Sequence, residues 1–345
     1  MKKILFISCL TTKKERFDGE RIKCTLIYES FKKIADVSSI NLSVHKYINT
    51  ILIFFKSFFG KKKFNFVVIS KDAHGANIIQ KILKMARYPL DRVIYFEIGP
   101  FLYDRIVNGS IKKETFIKNR LIIVETPSMK EELKSIGFKK ISVFPNFKPV
   151  LKIPFNDIKY PKETLNLIYL SRIEEPKGIY DLIDCLIELN KEKILFRLNV
   201  YGRPQSSVDD KHIRDLEQKH SFLKYSGVMK VDNIESYRIL SNYDLHIFPT
   251  KYREGFPGSL IDFFIAGVPT LSSSFARSSE ILSDKDSIIF EQGNIEDLKN
   301  KLLKIYNNQN MLINLRKNSY LLREKYSVHA FENYLRNLIE KNFVE

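Results

Sequence analysis

Residues 244–281 read DLHIFPTKYREGFPGSLIDFFIAGVPTLSSSFARSSEI, and they decide the fold. DLHIFPT is short and mostly apolar, as a strand buried in a parallel sheet is. Gly255, Pro257 and Gly258 break it into a loop. A helix is expected from Ser259, apolar on every side (Leu260, Ile261, Phe263, Phe264, Ile265). Gly267 and Pro269 are its stop signals. The loop therefore stands at the carboxyl end of a strand and the amino end of a helix. Open α/β sheets hold their ligands there, and the unpaired amides of a helix start favour anions.

Glu254 narrows the kind of ligand. A carboxylate repels phosphate, so one beside a phosphate pocket is best explained by hydroxyls that donate to it. A sugar offers several, and phosphate on helix amides with hydroxyls against Glu254 describes a nucleotide sugar. The plain alternative is a solvated loop residue.

YREGFPGSLIDFFIAGVP resembles the glutamate-x7-glutamate signature of the retaining glycosyltransferases of family 4, the glycosyl transferases group 1, which have the GT-B fold. The resemblance implies that Glu254, in the first position, contacts the donor sugar. It also implies that the backbone of Gly255, Phe256, Pro257 and Gly258 holds sugar and phosphate. The second signature position binds the ribose hydroxyls, and here it is Asp262, one methylene shorter. Asp262 has another reading, because Ser259-x-x-Asp262 also fits a capping box.

The chain has 345 residues, enough for more than one domain and a large core. Cys9, Cys24 and Cys185 form no CxxC pair, which points to a reducing cytoplasm and away from disulfides or zinc. MKKILFISCL reads as a first strand rather than a signal peptide. No stretch reaches the ~18 apolar residues of a membrane span. Charge is uneven. Residues 1–150 hold 29 Lys and Arg against 13 Asp and Glu, whereas residues 151–345 hold 28 against 27. The first half is thus built to face something negative: an anionic membrane, a phosphorylated acceptor or nucleic acid. No nucleic-acid-binding signature accompanies it, so nucleic acid is not expected.

Strands and helices alternate along the chain. After the first strand the loop TTKKERFDGERIKC holds one glycine, Gly19, and lacks the G-x-G-x-x-G of a dinucleotide site. DGERIKC resembles the family's first-loop glycine motif, which implies a place for Gly19 near donor and acceptor. Arg21 and Lys23 oppose the dipole of the helix they open unless an anion lies nearby. YINTILIFFKSFFGKKK (47–63) has a wide apolar face followed by three lysines, and reads either as an interfacial helix or as a core helix with a solvated turn. Residues 121–147 give strand, helix and strand, resembling the last unit of the amino-terminal domain in polysaccharide-assembly glycosyltransferases. KPVLKIPFNDIKYPKE holds three prolines and no periodicity, as a linker does.

In the second half, LNLIYLSRIEEPKGIYDLI places Arg172 at a strand end and Lys177-Gly178 at a helix start. The run resembles the family's Gly-Arg-Leu-x-x-x-Lys-Gly motif, with Ser171 for the first glycine, and this implies that Arg172 and Lys177 bind the donor diphosphate. LFRLNVYG and FLKYSGVM read as strands whose ends, Gly202 and Gly227, border the nucleotide base in the family. Asp284-Lys285-Asp286 is set aside as a chance D-x-D, and the histidines have no metal-ligand spacing.

The expectation is therefore a GT-B protein of two Rossmann-like, doubly wound domains with a cleft between them. Residues 1–150 with 328–345 would bind the acceptor, 151–163 would be the linker, and 164–327 would bind the donor. The expected reaction moves a sugar from a nucleotide-diphospho-sugar, UDP-sugar favoured, to a glycan or polyprenyl-diphosphate-linked acceptor, without metal or cofactor. Arg172, Lys177 and Glu254 are the expected catalytic residues. The expected place is the cytoplasm, with peripheral contact at the inner membrane face. Two alternatives stand: a catalytically weak partner subunit of the same fold, and an epimerase or phosphorylase.

Overall fold

The structure is a computed structural model and describes residues 2–11, 19–44 and 46–343. The chain divides into two units, residues 1–148 with 326–345 and residues 149–325.

The first unit runs β1 (Lys3–Ser8), α1 (Gly19–Lys32), β2 (Asp36–Asn41), α2 (Lys46–Phe59), β3 (Phe66–Lys71), α3 (Ala73–Met85), β4 (Val93–Glu97), α4 (Leu102–Val107), β5 (Leu121–Val124), α5 (Pro127–Ser135) and β6 (Ile141–Val143). Its strands form one parallel sheet in the order β2-β1-β3-β4-β5-β6. β4 and β5 are buried along their whole length, which is why VIYF and LIIV are unbroken apolar runs. β2, DVSSIN, lies at the sheet edge, and in it only Ile40 is fully buried. An edge strand needs little apolar surface, so its sequence carries no strand signal and the sequence reading passes over it.

The second unit runs β7 (Leu165–Leu170), α6 (Ile179–Leu189), β8 (Phe196–Tyr201), α7 (Ser207–Lys219), β9 (Leu223–Tyr225), α8 (Ile234–Ser241), β10 (Leu245–Phe248), α9 (Gly258–Ala266), β11 (Thr270–Ser273), α10 (Ser278–Ile281), β12 (Ser287–Phe290), α11 (Ile295–Asn307) and α12 (Met311–Leu322). Its parallel sheet has the order β12-β11-β10-β7-β8-β9. FLKYSGVM contributes only the three residues of β9, because Gly227 turns the chain at φ 71°.

The last helix, α13 (Val328–Phe343), belongs to the first unit. One face of that sheet is covered by α2, α3, α4 and α5, through Ile53, Ile79, Leu102 and Leu133. The other is covered by α1 and α13, where Phe331 stacks on Phe147 at 4.0 Å. A sheet with helices on both faces is the doubly wound arrangement.

Residues 151–163, expected to be a linker, are instead packed onto the second unit. Ile153 is buried and Phe155 meets Tyr320 edge-on at 5.2 Å. Tyr160 and Lys162 donate to the fully buried Asp244 at 3.0 and 2.6 Å. Buried Arg316 reaches the carbonyls of Tyr243 at 2.7 Å, Ser241 at 2.8 Å and Asn156 at 3.4 Å. The segment is aperiodic because it is fastened residue by residue by polar contacts, not because it is loose.

Candidate active site

In the second sheet β7 and β10 are neighbours, yet the chain leaves β7 towards β8 on one side and β10 towards β11 on the other. Strand order reverses between them. At such a point the loops diverge and leave a crevice at the carboxyl ends of the strands. The loops that flank it are 171–178, after β7, and 249–257, after β10.

Two glycines let these loops close up. Gly202 follows β8, and a Cβ on it would lie 1.8 Å from the Ser171 carbonyl oxygen. The end of β8 can therefore run beside the end of β7, where the Ile173 N–H continues the pairing by donating to the Arg203 carbonyl at 2.9 Å. Gly178 has φ 72°, and its Cβ would lie 2.0 Å from the Pro249 carbonyl oxygen. Glu175–Lys177 form a single tight turn, and Gly178 reverses into α6. The Lys251 amide donates to the Pro176 carbonyl at 2.8 Å, and the Lys251 ammonium pairs with Glu175 and, at 3.1 Å, with Asp181. The two loops are clamped together.

The clamp brings Lys177 and Glu254 into an ion pair across the crevice. Their side chains are 7% and 12% exposed. Thr250 Oγ1 donates to the same Glu254 oxygen, Oε1, at 3.0 Å. The Lys177 ammonium also stands 4.9 Å from the centre of the Tyr252 ring, within cation–π range. The backbone carbonyl of Glu254 accepts from the guanidinium of Arg277 at 3.4 Å, and Arg277 is 1% exposed. A cation near the start of α6 called for an anion, and in this structure the anion is Glu254.

Arg172 is not part of this contact. It pairs with Glu174 at 3.1 Å and is half exposed. Gly255 and Phe256 are buried and lead through Pro257 and Gly258 into α9. The N-cap of α9 is Pro257, with no side-chain cap, so the alternative reading of Ser259 and Asp262 as a capping box does not hold. Asp262 is instead 3% exposed and accepts from Tyr237 on α8 at 3.0 Å. Burial and the neighbouring Asp262 charge push the Tyr237 phenol far above its ordinary range. The Gly202 N–H donates to the Gly227 carbonyl at 2.8 Å, and Tyr225 donates to the Gly202 carbonyl at 3.1 Å.

Gly19 lies in the first unit as the first residue of α1, with open space where a Cβ would point. The loop before it, 12–18, falls outside the described residues. Lys23 has its anion as well, a buried ion pair with Glu125 at the end of β5. Asp286 of the D-x-D accepts from the Ser283 amide at 3.2 Å and is buried, which makes it part of a turn. Among the described residues, no group of three or more His, Cys, Asp or Glu is placed to hold a metal ion.

Thr250, Tyr252 and Arg277 escaped the sequence reading. Thr250 and Tyr252 sit within the decisive stretch, and their spacing around Glu254 was the available signal. Arg277 is brought in by the parallel placement of β11 beside β10, which no local pattern records.

Residues 154–322 match the family profile described as glycosyl transferases group 1. Among solved structures, that of HepE from Anabaena in complex with UDP and glucose is 11% identical. The match covers 99% of this chain and 100% of that one, with a TM-score of 0.71. Sucrose-phosphate synthase from Thermosynechococcus elongatus is 15% identical over 99% of both chains, also at 0.71. The pneumococcal O-GlcNAc transferase GtfA, in complex with UDP and GlcNAc, is 15% identical over 84% of this chain and 60% of that one, at 0.61. No curated protein sequence matches the chain. At such identities the structural likeness is one of fold, and the fold is GT-B. The second unit therefore carries the profile of the glycosyl transferases group 1, in a chain whose fold is GT-B.

Proposed function

We propose that the protein transfers a sugar, with retention of anomeric configuration, from a nucleotide-diphospho-sugar to a hydroxyl of a glycan or polyprenyl-diphosphate-linked glycan in the synthesis of a surface polysaccharide. The observation that carries this reading is the Lys177–Glu254 pair at the reversal of strand order. A cation suited to a diphosphate and a carboxylate suited to sugar hydroxyls are held side by side. UDP is the favoured carrier, since the HepE and GtfA structures hold UDP.

In this reading the donor diphosphate sits over the start of α9, which has no side-chain cap, and against Lys177, with Arg172 swinging from Glu174 to join it. Glu254 accepts from the hydroxyls of the donor sugar. The bond between the anomeric carbon and the diphosphate oxygen breaks, and its electron pair leaves with the phosphate. The acceptor oxygen bonds to the same carbon from the same face, and its proton passes to a diphosphate oxygen. Charge grows on the leaving group, so Lys177 and the amides act where the transition state differs most from the ground state. No protein nucleophile and no metal take part. The basic first unit would receive the anionic acceptor, at the inner face of the cytoplasmic membrane.

One observation favours a second reading. Asp262 is shorter than the glutamate of the family signature and already serves Tyr237. A chain that lost donor affinity there would persist as a weak partner subunit of another transferase. Thermal unfolding of wild type and Lys177→Ala with UDP, GDP, ADP, CMP and their sugars separates the two. Stabilisation by one nucleoside diphosphate, lost in the variant, supports the transferase. No stabilisation at millimolar ligand supports the partner subunit.

A further inference from the structure

The helix α2 carries a wide apolar face that the fold leaves uncovered. Ile53 is 2% exposed and enters the core of the first unit, with Asn49 and Ser57 buried on the same side. On the other side Ile48, Ile51, Leu52, Phe55, Phe58 and Phe59 all face solvent, Phe59 at 74% exposure. At 100° per residue these six fall within a single arc of about 120°. Phe55 and Phe59 stack at 6.1 Å, so the surface is a continuous one. An outward stripe of this kind normally marks an interaction surface. The neighbouring helix α3 adds exposed Ile78 and Met85.

The charges around this face narrow down its occupant. Residues 37–71 contain six lysines and no aspartate or glutamate. Lys61, Lys62 and Lys63 follow the helix directly, with the Lys61 ammonium 4.5 Å from the centre of the Phe58 ring. Arg92 adds its guanidinium, donating to the Lys61 carbonyl at 3.3 Å, with Asp91 beside it in sequence. Lys81, Lys84 and Arg87 are exposed on and just after α3. A second copy docked through the same face would bring lysines towards lysines, with no carboxylate in the stretch to meet them. No helix among the described residues is long and apolar enough to cross a membrane. An apolar arc bordered by lysines, on a helix that does not span, is the pattern of a helix lying in the plane of an anionic lipid surface.

We propose that the outer face of α2 inserts into the interfacial layer of a bilayer containing anionic phospholipid, with Lys61, Lys62 and Lys63 on the headgroups. The first unit then docks on the membrane independently of what occupies the second.

The test is flotation of the full chain with vesicles of phosphatidylglycerol and phosphatidylcholine, against vesicles of phosphatidylcholine alone. Binding should be stronger to the anionic vesicles and should fall as salt is raised. Lys61→Ser/Lys62→Ser/Lys63→Ser should weaken it on the order of a hundredfold, and Phe55→Ser/Phe59→Ser by a similar order. The chain contains no tryptophan. Phe59→Trp therefore supplies a sole indole probe, whose emission should shift to the blue on anionic vesicles whether or not the serine variants fold well. Equal binding to both vesicle types, or indole emission of the Phe59→Trp variant unchanged by anionic vesicles, would overturn the proposal. So would a dimer in analytical ultracentrifugation that Phe55→Ser/Phe59→Ser abolishes, which would give the face to a second copy.

Discussion

Gly178 and the carbonyl of Pro249 are packed so closely that a Cβ on the glycine would stand 2.0 Å from the oxygen. The contact ties the turn after β7 to the end of β10 and so sets Lys177 against Glu254. Alanine at 178 would meet both this clash and a left-handed backbone at φ 72°. Gly178→Ala is expected to lower stability by about 3 kcal/mol or more, measured by urea unfolding. It should also abolish stabilisation by UDP. Gly202→Ala meets the Ser171 carbonyl at 1.8 Å with ordinary φ, so its loss should come from the clash alone.

The Lys177–Glu254 pair makes opposite demands on folding and on catalysis. Removing one partner leaves a largely buried charge uncompensated, which typically costs about 3–5 kcal/mol when burial is complete. Some exposure remains here, so Lys177→Met and Glu254→Met should each cost about 2–3 kcal/mol. The double variant should recover most of that stability, because neither charge is stranded. Sugar transfer should stay below a hundredth of wild type in all three. Chemical unfolding and a radiolabelled-donor assay on the same four proteins check both halves. A double variant as unstable as the sum of the singles would mean that the pair does not act as a unit.

Asp262 supplies a sharper test of the nucleotide's sugar. If its carboxylate accepts from a ribose hydroxyl while Tyr237 holds it in place, the wild type should bind UDP more tightly than 2′-deoxy-UDP. The gap should be on the order of tenfold, the worth of a hydrogen bond to a charged group. Asp262→Ala should erase that preference by weakening UDP only. Tyr237→Phe should keep the preference while lowering overall affinity, since the carboxylate loses its positioning donor. Titration calorimetry with the two nucleotides reads both effects. A preference that survives in Asp262→Ala would assign the ribose to another group.

The parts of this protein written locally could be read without a structure. DLHIFPT, LNLIYLS and DRVIYFEIG are buried parallel strands, so burial on both faces left apolar runs that nothing else explains. Glu254 and Lys177 stood out because each is a charge in an unfavourable place, a carboxylate beside an anion pocket and a cation near a helix start. That each is the other's partner was not legible, since 77 residues separate them and only the adjacency of β7 and β10 joins them. Arg277 was hidden for the same reason. The edge strand β2 left no signal because it buries little apolar surface, and the segment 151–163 read as a linker because its polar contacts to distant residues, such as Asp244 and Arg316, carry no period.

His246 lies in the middle of β10, fully buried, stacked on Phe263 at 3.7 Å and within 3.1 Å of the Thr270 hydroxyl. Burial holds its imidazole well below the ordinary value of 6.5, so it stays neutral in the folded protein. In the unfolded chain it takes a proton near 6.5. The unfolded state therefore binds more protons below that pH, and stability falls as the solution is acidified through it. The slope from this residue approaches about 1.4 kcal/mol per pH unit. His246→Phe keeps the ring stack and removes the proton, so between about pH 6.5 and 5 its unfolding free energy should decline less steeply by that amount. At about pH 7 the variant should be about 1 kcal/mol less stable than wild type, because the contact between Nδ1 and the Thr270 hydroxyl is lost while the unpartnered Nε2 is removed. Urea unfolding of both proteins across this range measures the difference, and equal slopes would show that His246 is protonated in the fold.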